Sequence, residues 1–207
     1  GPKAEEKPAE SEGGATTLPS VDKVVMRDIN VTYKDGVTGE EYRVALDEFT
    51  AAAGSTSAPV EVAAKGSLNE NIFSLEGTLG SIAQMTDPEG VYPVDIKAAA
   101  LGVVTSYKGT LSTPGGALSV NGDLDVVIAS IKQTLAEAAT VTPAVKDVPV
   151  MGADKLDLKS KVAFDGKTAT LGGMTLTLGK TDLAGNITAS LGGAKPNIDV
   201  SLTSNLI

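Results

Sequence analysis

Across residues 171–202, LGGMTLTLGKTDLAGNITASLGGAKPNIDVSL, apolar and polar side chains alternate, and each alternating run stops at a glycine-containing turn. A period of two suits a strand with one apolar side and suits no helix. With Gly179-Lys180 as a two-residue hairpin turn, Leu176 falls opposite Leu183 and Met174 opposite Gly185. A four-residue loop at 192–195 then sets Ala189 against Ile198, Ile187 against Val200 and Gly185 against Leu202. Turn length and hydrophobic phase agree on one register, because a slip of one residue would send every apolar side chain to the polar side.

The same alternation recurs from Val24 onward. With residues 34–41, KDGVTGEE, as its loop, a first hairpin places Tyr33 opposite Tyr42, Val31 opposite Val44 and Ile29 opposite Leu46. That loop holds Asp35, Glu40 and Glu41 at a spacing unlike any calcium-binding loop, and reads as a solvated turn. Between Leu46 and Phe49 the apolar phase slips by one position, the mark of a bulge or a strand end. Strands at 58–68 and 72–79, joined by NENI, set Leu68 against Phe73, Gly66 against Leu75, Ala64 against Gly77 and Val62 against Leu79. Residues 82–91 break the pattern as a loop or single helical turn. A tight turn at Leu101-Gly102 puts Ile96 opposite Tyr107, Val94 opposite Gly109 and Tyr92 opposite Leu111. The loop 112–117 brings Leu118 to Leu111, Val120 to Gly109 and Gly122 to Tyr107. Asp165-Gly166, flanked by alternation, is the strongest turn signal in the chain. It pairs Val162 with Ala169 and Ser160 with Leu171, and Gly172-Gly173 shifts the phase once more.

Gly66, Gly77, Gly109, Gly122 and Gly185 all fall on the apolar phase, where glycine weakens a strand. They leave space, either for sheet curvature and a neighbouring ring, as Gly122 would accept Tyr107, or for a ligand channel. One helix is expected at 126–139, where Ile128, Ile131, Leu135 and Ala138 recur at helical spacing with Asp123 or Asp125 as cap. Pro143 and Pro149 make 140–152 a connector. The expected fold is mainly β: a curled antiparallel sheet of hairpins and meanders, about twelve strands, forming a groove or partly open barrel with one α-helix packed at an end or side. Residues 21–207 form a single β-rich domain. Residues 1–20 are charged, proline-bearing and without periodicity, and read as a flexible linker or tag remnant. Gly1-Pro2 reads as the scar of tag removal, which makes the chain an excised fragment of a longer protein.

The chain has no His and no Cys, which removes imidazole bases, thiol nucleophiles, disulfides and the usual zinc ligands. Asp157, Asp165, Asp182 and Asp199 lie on polar strand positions or in turns, where solubility alone puts them. No glycine-rich phosphate loop opens a helix, and no serine sits in a nucleophile elbow. The expectation is a protein that is not an enzyme, with no catalytic residue, no metal and no cofactor. The net charge of −9 at pH 7 disfavours nucleic acid and anionic headgroups alike. No run approaches the ~20 apolar residues of a membrane-spanning helix. With 3 % aromatic residues and no Trp, the apolar side is built from Val, Ile, Leu and Ala.

Three blocks share a likeness: INVTYKDGVTGEEYRVALDEFT at 29–50, FSLEGTLGSI at 73–82 and GGMTLTLGKTDLAGNITASLGGAKPNIDVSLTS at 172–204. The pattern L-x-L-G-x-T-D-L-x-G-x-I-T-x-S-L-x-G-x-K-P-x-I at 176–198 is the most specific of them. Together they resemble the periplasmic region of AsmA-like proteins, over nearly everything from Val21 to the C-terminus. The resemblance implies a non-catalytic module in the periplasm of a Gram-negative bacterium, with the full-length protein anchored in the inner membrane by an N-terminal helix. It also implies kinship with bridge-like lipid transfer proteins, whose curved β-sheets form an apolar groove, and a part in phospholipid transport or outer-membrane assembly. The lipid-facing residues are then Ile29, Val31, Val44, Leu46, Val62, Leu75, Val94, Ile96, Val120, Leu176, Ile187 and Val200. The expected partners are phospholipid or another acyl lipid, together with proteins of the envelope. The alternative is a purely structural or protein-binding β-domain, extended by strand addition at an open edge.

Overall fold

The computed structural model describes residues 22–37, 39, 41–87, 90–113, 117–142, 145, 148, 154–193 and 195–204. The expected linker at 1–20 and much of the connector at 140–152 lie outside the described residues. The strands are β1 (Lys23–Lys34), β2 (Glu41–Ala52), β3 (Pro59–Leu68), β4 (Asn71–Ser81), β5 (Val91–Ala100), β6 (Val103–Ser112), β7 (Ser119–Ile128), β8 (Leu156–Phe164), β9 (Thr168–Leu178), β10 (Thr181–Ser190) and β11 (Asn197–Ser204). A one-turn helix α1 (Ile82–Met85) links β4 to β5, and α2 (Ile131–Ala138) lies between β7 and β8.

These strands make one eleven-stranded sheet in which order in space is order in sequence. Every neighbouring pair is antiparallel. The expected curling into a partly open barrel is not found: the sheet is open, with β1 at one edge and β11 at the other. Closing a barrel requires the two outer strands to pair. Here each of them has one neighbour.

The registers read from the first hairpin, from the Leu101-Gly102 turn and from residues 171–202 are those of the sheet. Val31 pairs with Val44, Ile96 with Tyr107, Leu176 with Leu183 and Ile187 with Val200. Three others are two residues off. β3 and β4 pair Gly66 with Phe73 and Val62 with Gly77, because Asn69 and Glu70 both take left-handed backbone (φ +47° and +70°) and close a two-residue turn. β6 and β7 pair Leu111 with Val120 and Tyr107 with Leu124. β8 and β9 pair Phe164 with Ala169 and Val162 with Leu171. In that last hairpin the Asp165 carboxylate accepts from the N–H groups of Lys167 (2.9 Å) and Thr168 (2.6 Å). The Asp165 N–H in turn donates to the Thr168 carbonyl, so Gly166-Lys167 forms the bend.

Both phase slips are bulges. Asp47 is the extra residue where the β2–β3 register shifts between Leu46 and Glu48. Gly173, at φ +57°, lies in the β9 segment whose register against β8 shifts opposite Ser160. A bulge restores the apolar phase on one side after the alternation in sequence has broken.

The helix expected at 126–139 begins later. Val126, Val127 and Ile128 finish β7, paired with Leu158, Asp157 and Leu156, as suits β-branched residues. The cap is Ser130, not Asp123 or Asp125: its Oγ accepts from the Gln133 N–H and donates to Asp154. α2 crosses one end of the sheet. Past its C-terminus, Thr140 accepts from the side-chain amides of Asn69 (3.2 Å) and Asn71 (2.7 Å) beside the β3–β4 turn. At the opposite end Ser81 and Gln84 form a capping box on α1.

Candidate functional site

Side chains of directly paired residues point to the same face of a sheet, so the registers can be followed from strand to strand. One row runs Met26, Phe49, Ala64, Leu75, Ala98, Thr105, Val126, Leu158, Leu176, Leu183, Ser204, one residue from each of the eleven strands. A second runs Val60, Leu79, Val94, Gly109, Gly122, Val162, Leu171, Ile187, Val200. The face is largely apolar, with Thr105 and Ser204 the polar members of the first row. Its reverse is polar, with Asp95, Lys108, Asp123 and Lys161 in successive register. There Lys108 meets Asp95 at 2.7 Å and Lys161 meets Asp123 at 2.8 Å.

No second layer covers the apolar face among the described residues. Among the described residues only three apolar ones are buried, Ala53, Val94 and Met174, and no large side chain falls below 2 % exposure. Toward the edges Val31 is 54 % exposed, Ile198 64 % and Val200 58 %. A sandwich of the same alternation would bury this side against another sheet. Here neighbouring side chains shade one another and are otherwise open.

Compared with protein-family models, curated proteins and solved structures, the chain matches none.

All twelve residues expected to face lipid lie on this one side. Ile29 and Val31 stand on β1 opposite Leu46 and Val44 on β2, and Val62, Leu75 and Ile96 follow on β3, β4 and β5. Val120, Leu176, Ile187 and Val200 continue on β7, β9, β10 and β11. One departs from the expectation: Val94 is 7 % exposed and packs as core instead of presenting surface. Two were missed. Val24 and Met26, 41 % and 39 % exposed, pair with Ala51 and Phe49 beyond the bulge. The slip at Asp47, followed through to the partner strand, was the signal for them.

Rings fill the gaps that glycine leaves. Phe73 lies against Gly66, Tyr92 against Gly80, and Tyr107 against Gly122. Burial pushes the Tyr92 and Tyr107 phenols above the ordinary tyrosine range, and the Tyr107 hydroxyl donates to the Thr110 carbonyl at 3.2 Å. At one corner Tyr33 and Tyr42 stack with centroids 6.3 Å apart. Among the described residues no three His, Cys, Asp or Glu side chains gather to hold a metal, and no helix is long and apolar enough to cross a membrane.

Proposed function

We propose that this chain is a periplasmic module of an AsmA-like protein that accommodates phospholipid acyl chains on its apolar sheet face, as part of lipid transport or outer-membrane assembly. The observation that supports this reading is a largely apolar face with no protein layer over it among the described residues. The motif at 176–198 supports the family. β5, ten residues long, extends ~33 Å at ~3.3 Å per residue, whereas an acyl chain covers about half of a ~30 Å bilayer core. One strand shelters one tail with length to spare. Transfer of this kind needs no catalytic group, since apolar burial at ~25 cal/mol per Å² is enough to hold a tail out of water. The sheet acts as a shallow trough, its polar reverse in solvent. The second reading, a β-domain joined to envelope proteins by strand addition, is favoured by the outer sides of β1 and β11, which pair with no strand among the described residues.

The test is extraction of the purified chain with organic solvent and mass spectrometry for phospholipid, with photo-crosslinking residues placed at Val44 and Ile96. Lipid in the extract and lipid adducts at both positions support the trough. Lipid-free protein with no adduct at either position rejects it in favour of the protein-binding reading.

A further inference from the structure

The two edges of the sheet are built differently. β1 is interrupted: Asp28 takes left-handed backbone (φ +55°) and drops out of the β1–β2 register between Arg27 and Ile29. Lys23, Arg27 and Lys34 also lie along it. Kinks and charges of this kind are what keep an edge from pairing. β11 has neither. Its eight residues include a single charge, Asp199, with no proline and no register shift against β10, and every one of them is exposed. The Ser201 carbonyl turns inward toward β10, against Gly185. Backbone groups alternate in direction along a strand, so the N–H and C=O groups of Ile198, Val200 and Leu202 turn to the free side.

We infer that β11 pairs with β11 of a second copy of this chain, antiparallel about a two-fold axis normal to the sheet. Such an axis keeps both apolar faces on the same side. Val200 meets Val200 of the other copy, Ile198 meets Leu202 and Asp199 meets Ser201, so the apolar phase is preserved and the two carboxylates are not opposed. The outward-turned residues are then the hydrogen-bonded pairs of the new ladder. The strand is self-complementary about Val200, as an isologous contact requires. The pairing holds whether or not acyl chains occupy the face; if they do, the trough doubles in width.

Sedimentation velocity of the full chain is expected to give about twice its 20.9 kDa at tens of micromolar. Ser201→Asp puts like charges opposite one another twice and weakens the dimer by about tenfold; adding Asp199→Lys to it restores pairing. The chain has no Cys, so Val200→Cys treated with a short bis-maleimide gives a crosslinked dimer. Val31→Cys, comparably exposed on β1, does not. A monomer at about 100 μM, a dimer indifferent to Ser201→Asp, or equal crosslinking at Val31 and Val200 overturns the inference. None of these results depends on whether the protein co-purifies with lipid.

Discussion

Tyr107 lays its ring across Gly122, with Cε2 2.7 Å from the point that a Cβ there would occupy, while its hydroxyl reaches the Asn121 carbonyl at 3.0 Å. The ring supplies from the side the apolar bulk that glycine lacks. A methyl group on Gly122 would meet the ring and, at 2.6 Å, the Lys108 carbonyl. The ring can turn but the strand cannot. Gly122→Ala should therefore cost about 1–3 kcal/mol by overpacking, read as a lower urea midpoint at unchanged slope. An unmoved midpoint would show that the paired backbones of β6 and β7 yield to a methyl group there.

Met174 and Val31 share a face but not a role. Met174, 4 % exposed, is part of a sparse core, and Met174→Ala is expected to cost about 2–5 kcal/mol. Val31 is 54 % exposed, so Val31→Asp should move stability by under about 1 kcal/mol while cutting lipid adducts at the neighbouring Val44. Thermal melts and crosslinking yields on the two variants separate packing from cargo.

Asp165 ties the β8–β9 bend through the backbone N–H groups of Thr168 and Lys167, and those bonds hold its carboxyl below the usual value of 3.8. A carboxyl depressed in the folded state lends stability that is complete above the unfolded value and is lost as pH falls through the folded one. Melting temperature should thus decline on the acid side of 3.8. Asp165→Ala should lower stability at neutral pH and lessen this acid-side loss. Parallel melts of the two proteins from neutral to strongly acid pH check it, and identical acid-side losses would exclude Asp165 as a source.

Gly173 is open, with nothing within 4 Å of where its Cβ would be, so Gly173→Ala isolates backbone strain at φ +57°. The expected cost is roughly 1–2 kcal/mol, confined to the β8–β10 region. Asn186 holds the same bulge by accepting the Gly173 N–H at 2.9 Å. Amide exchange in β9 and β10 should quicken for Gly173→Ala and for Asn186→Ala, with β2 and β3 unaffected.

The apolar face was legible from the sequence even where the pairing was not, and for one physical reason. Side chains repeat every two residues along a strand, so sliding a partner by two exchanges one apolar pair for another and leaves every side chain on its face. Val62 pairs with Gly77 and not Leu79, yet both stand on the same side. Which pairing forms is decided by the turn, and nothing about Glu70 announces that it adopts positive φ. The alternation is equally silent on whether a face is covered. Val126 to Ile128 misled differently: Ile128 and Ile131 fit a helical stripe, while the β-branched run belongs to the strand. Pairing with β8 decided between them.

Because each strand bonds only to those before and after it in the chain, this architecture behaves as a one-dimensional array with nearest-neighbour couplings. Such an assembly folds through short loop closures and frays from its flanks inward, so amide protection should peak near β6 and fade toward β1 and β11. Inserting or excising one hairpin would widen or narrow the sheet by two strands without disturbing the joints elsewhere. Width is thus a property that can be dialled in units of a hairpin.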